Sequence, residues 1–114
     1  MNSTNSKYLK NLDDLKYFHA FEGLKAKLVH SDTQTFAFWE IDKDAEVPMH
    51  QHINEQTVIV TKGTLRLTVA GEVMDLEPGM VAVIPPNTDH HAIALTEVEV
   101  LDVFNPIRDD FPKE

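Results

Sequence analysis

Three histidines and one glutamine form the chemically distinctive group of this sequence. His50 and His52 are separated by one residue, Gln56 follows four residues later, and His90 stands behind the segment Pro85–Asp89. Side chains alternate between the two faces of a strand, so two histidines at this spacing point to the same side of an extended segment. Gln56 would reach the same point if the chain bends after His52. The pattern predicts a site for one divalent metal ion.

The ligand types restrict which ion this site would hold. An imidazole-rich set with one amide oxygen favours zinc, nickel, copper, iron(II) or manganese over calcium and magnesium, which prefer shells of oxygen alone. A lone His-x-His is more often an ordinary surface pair. Here Pro48 and the apolar flanks indicate a structured strand entry, and a third histidine follows a Pro-Pro turn. The surroundings therefore favour a metal site, with the choice among the five metals open.

One carboxylate stands within an apolar stretch near the end of the chain. Alternation places Asp102 on one face of the last predicted strand, together with three apolar residues, Val98, Val100 and Phe104. Buried carboxylates are rare unless they have a partner. One interpretation is a structural acid or a solvated strand end. The other is an acid or base that faces the same cavity as the metal.

The opposite face of that strand carries Leu101 and Val103, so both of its faces are largely apolar. Such a strand must be covered twice, by the opposing sheet on the inside and by another layer on the outside. We predict a homodimer as the outer cover, with the N-terminal segment as the alternative.

The elements that position these residues are short strands separated by turn signals. Residues 8–21 predict short extended pieces with at most one helical turn. The later strands are predicted at Leu24–Val29, Thr35–Ile41, Thr57–Thr61, Thr64–Val69, Glu72–Leu76, Met80–Ile84, His90–Leu95 and Val98–Phe104. In the fourth of these, Leu65, Leu67 and Val69 are expected to face inward. The series predicts an all-β antiparallel sandwich or barrel.

Length and composition set the outer limits of the interpretation. The 114 residues fit a single domain at 7–114 behind a flexible N-terminus at 1–6. The absence of cysteine excludes disulfides and thiolate metal sites, and it favours a reducing compartment, the cytoplasm. No apolar run approaches the ~20 residues of a membrane span. A net charge of -9 disfavours nucleic acid, so we expect a small-molecule partner.

The two histidine segments resemble the paired motifs of the cupin superfamily. The first cupin motif runs Gly, five residues, His-x-His, three or four residues, Glu, six residues, Gly. The matching positions are Asp44, His50, His52, Gln56 and Gly63. Asp44 and Gln56 depart from the motif's Gly and Glu. Glutamine in place of glutamate leaves the charge of a bound metal uncompensated, which makes the ion a stronger Lewis acid.

The second cupin motif runs Gly, five residues, Pro-x-Gly, two residues, His. It falls on Gly79, Pro85, Asn87 and His90. Asn87 replaces the motif's second Gly, and asparagine tolerates the left-handed backbone conformation that a turn glycine supplies. The resemblance implies the cupin double-stranded β-helix, a jelly-roll-like antiparallel barrel with a metal inside.

Over residues 24–111 the sequence is similar, more narrowly, to single-domain cupins of the pectin-degradation type. The similarity lies in a His-x-His-x-x-x-Gln first motif, a Pro-Pro-Asn second motif, and the ending from Asp102 to Phe111. Proteins of that type convert cyclic unsaturated uronates from pectin or alginate into linear ketonised sugars. The resemblance implies four metal ligands, His50, His52, Gln56 and His90, and a substrate pocket lined by Asp102, Phe104 and Arg108.

The implied residues suit that reaction chemically. A cyclic enol ether opens when its double bond is protonated and its hemiacetal hydroxyl loses a proton, so Asp102 would act as the acid and base. Arg108 would offer a planar fork to the uronate carboxylate, unless it pairs with Asp109 or Asp110 instead. Phe104 would supply an apolar wall for the sugar ring. His91, next to His90, must face the other way in a regular strand.

Two other functions are compatible with the same residues. One is a dioxygenase-like cupin, in which iron or manganese with open coordination positions activates oxygen. The other is a non-catalytic barrel that binds a small molecule such as an acidic sugar.

Overall fold

Strands dominate the part of the chain that the computed structural model describes, residues 6–113. One turn of 3-10 helix, Leu12–Asp14, precedes the first strand, as predicted for residues 8–21. The strands are β1 Phe18–Phe21, β2 Leu24–His30, β3 Thr35–Ile41, β4 Glu46–His50, β5 Glu55–Lys62, β6 Leu65–Val69, β7 Glu72–Leu76, β8 Val81–Ile84, β9 His90–Ala94 and β10 Val98–Asn105. The predicted flexible N-terminus lies outside the described residues except for Ser6. Within residues 6–113, no helix has the length and apolar character needed to cross a membrane.

The strands form two antiparallel sheets. One sheet has the order β1-β2-β3-β10-β5-β8, and the other has the order β4-β9-β6-β7. Strands distant in sequence lie side by side in both sheets, as β10 does between β3 and β5. The predicted all-β antiparallel architecture is therefore confirmed.

Alternation along the strands builds the core between the two sheets. In β3 and β10 every second residue is buried, and in β6 Leu65 and Leu67 are buried as predicted while Val69 is half-buried. The buried apolar side chains are Leu24, Ala26, Leu28, Ala37, Trp39, Ile41, Val58, Val60, Leu65, Leu67, Leu76, Ile84, Ala94, Val98, Val100 and Phe104. Asp102 lies among them on the inner face of β10.

Four of the turn positions singled out in the sequence, Asp44, Gly63, Gly79 and Asn87, have a positive φ. Asp44 and Asn87, which replace motif glycines, have φ of 72° and 56°. Asparagine and aspartate adopt this left-handed conformation more readily than other residues with a side chain, so both departures preserve the turn. Gly63 has φ of 80°, and a Cβ there would collide with the carbonyl oxygen of Glu97. At that turn glycine is required by both backbone conformation and space.

The chain around the first histidine pair is less regular than the alternation argument assumed. Strand β4 ends at His50, and its pairing with β9 is irregular between Val47 and His50. His50 therefore ends β4, and His52 lies in the bend between β4 and β5. The backbone N–H of Asn87 donates to the carbonyl oxygen of His52 over 2.7 Å, which ties the bend to the second histidine segment.

The last strand, β10, was predicted to be covered on both faces, and its outward face lies on the outside of the six-stranded sheet. Leu101 and Val103 point there and are half-buried. The strand registers align them with outward-facing residues of β2, β3, β5 and β8. These residues together are here called the outer face: Lys27, Val29, Phe36, Phe38, Thr57, Ile59, Val81, Val83, Leu101 and Val103. Leu12 and Tyr17 lie against its Phe38–Leu101 part. The N-terminal segment thus covers one part of the face, while Val81 and Val83 stay 56% and 58% exposed.

Candidate metal centre and cavity

The three histidines converge on one point inside the barrel. His50 ends β4, His52 lies in the bend that follows, and His90 begins β9 directly opposite His50. Their ligand nitrogens all lie within 4.8 Å of one another. His90 is buried and the other two are half-buried. The structure therefore positions three imidazoles so that they can hold one metal ion.

Hydrogen bonds to the backbone fix which nitrogen of each ring faces that point. Nδ1 of each histidine lies 2.8 to 3.0 Å from a carbonyl oxygen two residues away, those of Pro48, Asn54 and Thr88. A carbonyl oxygen only accepts, so Nδ1 carries the hydrogen in all three rings. Nε2 is then the atom with a free lone pair. Metal-binding histidines commonly use this arrangement, which fixes ring orientation and increases ligand basicity.

The hydrogen-bond acceptors at this point, two imidazole nitrogens and one amide oxygen, test whether a cation suits the centre. Nε2 of His90 has no hydrogen-bond partner among the described residues. Nε2 of His52 lies 3.1 Å from Oε1 of Gln56, so that two acceptors face each other. A divalent transition ion would satisfy these atoms together. The chain bends after His52, as this role requires, and Gln56 therefore lies where it could serve as the fourth ligand.

Burial favours the neutral form of two of the imidazoles, those of His90 and His52. It lowers the pKa of His90 to about 4, with the positive charges of neighbouring groups adding to the shift and the Thr88 carbonyl opposing it. The pKa of His52 is also lowered, first by burial and then by the nearby Arg108 guanidinium. Metal binding requires unprotonated imidazole, so these two rings need not lose a proton near neutral pH before they bind an ion.

Asp102 lies next to this centre, on the inner face of β10. Its side chain contacts those of Gln56 and Trp39, and its Oδ1 has no hydrogen-bond partner among the described residues. Burial raises the pKa of its carboxyl to about 7, against the opposing effects of Gln56, Arg108 and Trp39. The carboxyl can therefore hold or release a proton near neutral pH.

A cavity of about 380 Å³ connects these groups. His50, Gln56 and His90 line it together with Asp102 and the two other predicted pocket residues, Phe104 and Arg108. His52 contacts Gln56 at the side. Most of the remaining wall is apolar, and it includes several aromatic residues that the sequence interpretation did not assign to the site: Phe18, Phe21, Trp39 and Phe111. The predicted set is thus assembled in one place.

Arg108 makes contacts that were left open in the sequence. Its Nε and Nη2 donate to the two carboxylate oxygens of Asp110 over 2.8 and 2.7 Å. Its guanidinium carbon lies 4.7 Å from the ring centre of Phe104 and 4.1 Å from that of Phe111. The Arg108 partner is therefore Asp110, whereas Asp109 lies 3.8 Å from Lys113.

A buried asparagine connects the bend of the metal centre to the segment that carries Arg108. The side-chain amide of Asn54 donates to the carbonyl oxygens of Pro106 and Ile107 over 2.6 and 3.3 Å. Its own backbone carbonyl accepts the hydrogen bond from His52. The sequence around Asn54 looks like an ordinary turn, so this role has no local signal. The inward position of Trp39 did have a local signal, since alternation places it on the inner face of a predicted strand.

Comparison with known proteins agrees with this architecture. The cupin domain model Cupin_2 matches residues 37–104. KdgF from Halomonas sp. has a TM-score of 0.81 and 30% identity, over 86% of this chain and 92% of that chain. An RmlC-like cupin from Shewanella frigidimarina NCIMB 400 has a TM-score of 0.87 and 27% identity, over 94% and 97%. No curated protein matches the sequence.

A more distant structure shares only the fold. A variant of oxalate decarboxylase from Bacillus subtilis has a TM-score of 0.75 and 20% identity, over 83% of this chain and 28% of that chain.

The centre predicts a sharp difference between two adjacent histidines. Replacing His90 with Ala removes a ligand, and we expect the affinity for zinc to fall at least about 100-fold, because ligand loss exceeds the ~10- to 100-fold cost of losing an outer-shell partner. Replacing His91 with Ala should leave the affinity unchanged, since His91 points outward to Glu46 over 2.9 Å. Competition with a chromophoric chelator measures both. Equal effects of the two replacements would contradict the assignment.

Proposed function

This chain belongs to the cupin family, and from that premise we propose that it is a metal-dependent enzyme that opens the ring of 4,5-unsaturated uronates. The observation that carries the proposal is the convergence of three histidines, a carboxyl with an unpartnered oxygen and an arginine on one cavity. The 30% identity with KdgF over most of both chains supports the same subtype. The substrates would be those released from pectin or alginate.

Asp102 is the proposed acid and base. The reaction takes a proton from the hemiacetal hydroxyl, breaks the bond between that carbon and the ring oxygen, and delivers a proton to the far carbon of the enol double bond. The aldehyde and the ketone form without any net gain or loss of atoms or electrons. One carboxyl that faces the cavity can carry the proton between the two positions. Asp102 suits this role because its Oδ1 has no other partner among the described residues.

Arg108 and Phe104 are proposed to hold the substrate. Asp110 uses the Nε edge of the guanidinium, and the remaining N–H groups of Arg108 are available to a uronate carboxylate. The Phe104 ring centre lies 4.7 Å from the guanidinium carbon and 5.7 Å from the ring centre of His52. The ring therefore forms a wall between the carboxylate end and the metal end of the cavity.

The proposed ligands of one divalent transition ion are His50, His52, Gln56 and His90. When bound, the ion would polarise a sugar oxygen as a Lewis acid, and neutral ligands would leave its charge undiminished. The chain's own contribution is to aim three Nε2 atoms at one point, through hydrogen bonds from Nδ1 of each ring to a backbone carbonyl oxygen. We propose a non-redox reaction because the residues facing the cavity supply an acid–base group and a carboxylate-binding cation.

Replacing Asp102 with Asn tests the proposal. The change keeps the shape of the side chain and removes its ability to carry a proton, so we expect the rate of absorbance loss from a 4,5-unsaturated uronate to fall by about 10²- to 10⁴-fold. The metal content should stay the same, as measured by elemental analysis. Asp109→Asn makes the same charge change on a side chain that is 90% exposed, and it should retain normal turnover. Normal turnover by D102N would refute the role of Asp102.

We also propose that a second copy of the chain covers the open part of the outer face. Lys27 is the one charged residue among the ten of this face, and it lies at the part that Tyr17 covers, although the chain as a whole has a net charge of -9. Five strands ~4.8 Å apart give the face a width of about 20 Å, and two residues per strand give it a length of about 14 Å, so its flat area is about 280 Å². An interface of the standard ~800 Å² per partner would include side chains around this face.

The dimer proposal predicts the behaviour of two exposed valines. Val83→Glu places a charge on the outer face, and the protein should change from twice the mass of one chain to a single chain. Val73 is 61% exposed on the other sheet, so Val73→Glu should leave the dimer intact. Light scattering during size-exclusion chromatography measures the masses. A monomeric wild-type protein, or a dimeric V83E variant, would contradict this assignment of the interface.

A further inference from the structure

Asp110 is a carboxylate that the proposed reaction does not use, yet it occupies the group proposed to bind the substrate's carboxylate. We propose that Asp110 is a specificity-determining residue, an internal carboxylate that competes with anionic ligands for Arg108. Ligands with a carboxylate alone are thereby disfavoured, and those that add an oxygen for the metal are selected. This inference rests on the proposed function, because it takes the ligand to be an acidic sugar.

The competition follows from the number of hydrogens on the guanidinium. Arginine has five N–H donors in one plane, and they form two edges that match a carboxylate. The edge made by Nε and Nη2 binds both oxygens of Asp110. Three N–H groups remain on Nη1 and Nη2. A ligand must therefore use the other edge beside Asp110 or displace Asp110 from the first.

Two aromatic rings and burial restrict the approach to Arg108. Phe104 and Phe111 lie 4.7 and 4.1 Å from the guanidinium carbon, as measured to the ring centres. The two rings contact it on adjacent sides, because their centres are 5.5 Å apart and their planes stand at 83°. The Arg108 side chain is only 10% exposed. A carboxylate binds a guanidinium through the N–H groups in its plane. Asp110 already holds part of that plane.

Asp110 also cancels the charge that would attract an anion. The Arg108 contacts hold the pKa of the Asp110 carboxyl below its usual range, so this group stays ionised at neutral pH. A ligand carboxylate therefore meets a neutral pair with a negative charge at its edge. The Asp110 side chain is 66% exposed, so it can move into solvent when a ligand takes its place. Removing this carboxylate should strengthen anion binding.

A purely structural Asp110 would have the opposite effect. If Asp110 only held Arg108 in position, its loss would let the guanidinium move and would weaken anion binding. The direction of the change in affinity thus separates competition from positioning. Neighbouring Asp109 supplies the matched control, because its replacement changes the net charge equally but its contact is with Lys113.

The experiment measures binding of saturated D-galacturonate, which lacks the double bond and cannot react, to metal-loaded protein by calorimetry. We expect Asp110→Asn to lower the dissociation constant about fivefold or more, because a charge-assisted bidentate competitor is lost. Asp109→Asn should change it less than about twofold. Binding of D-galactose, which has no carboxylate, should be the same in all three proteins. Asp110→Ala repeats the comparison without an amide, and thermal unfolding verifies that each variant folds.

Weaker or unchanged galacturonate binding by D110N overturns the inference, as does an equal gain in D109N or no binding to D110N at all. The proposed function can fail separately. If the wild-type protein does not open the ring but D110N alone binds galacturonate more tightly, the reaction is rejected and the competition at Arg108 stands. Normal ring opening without that gain would reject only the competition.

Discussion

Three hydrogen bonds from imidazole Nδ1 to backbone carbonyl oxygens are the constraint on which the rest of the site depends. Each uses a carbonyl two residues away, so the local backbone sets the orientation of each ring. The bend after His50 and the turn at Asn87 must therefore have defined conformations. The hydrogen bond from Asn87 to His52 joins these two segments, and the positive φ of Asn87 permits it. A small set of backbone contacts thus determines where a metal can lie.

Burial shifts the pKa of an acid and the pKa of an imidazole in the cavity in opposite directions, and both shifts favour the neutral form. It raises the pKa of Asp102 and lowers the pKa of His90, because an apolar surrounding disfavours the charged form of each. The cavity consequently favours the neutral imidazole of His90 and raises the pKa of the Asp102 carboxyl to about 7. Charge enters through the Arg108–Asp110 pair and, in the proposed function, through the metal. The apolar wall that the core supplies is therefore part of the chemistry as well as of the fold.

Much of this arrangement was predictable from local patterns in the sequence. Alternation gave the inner face of β10, including Asp102, and the outward direction of His91. The motif spacings predicted that His90 lies near the histidine pair. The left-handed turn at Asn87 was predictable because asparagine tolerates that backbone conformation. The register shift between Val47 and His50 in the pairing of β4 with β9, and the end of β4 at His50, had no signal in the sequence.

Other contacts had no signal in the sequence because they join distant segments. Asn54 reaches Pro106 and Ile107, more than 50 residues away. Phe111 contacts Phe18, with ring centres 5.3 Å apart, and both rings line the cavity. The choice of Asp110 over Asp109 as the partner of Arg108 depends on how the final segment lies against Thr35, which accepts from the Arg108 backbone N–H over 2.9 Å. Such contacts follow from the assembled fold and cannot be inferred from residue type or spacing.

The most direct measurement is the ultraviolet absorbance of a 4,5-unsaturated uronate mixed with the wild-type protein under anaerobic conditions, before and after removal of metal by a chelator. The account predicts that absorbance falls with metal-loaded protein, stops falling with stripped protein, and falls again after the metal is restored. Oxygen should have no effect on the rate. Constant absorbance with the metal fully bound, or a rate that requires oxygen, would contradict the account.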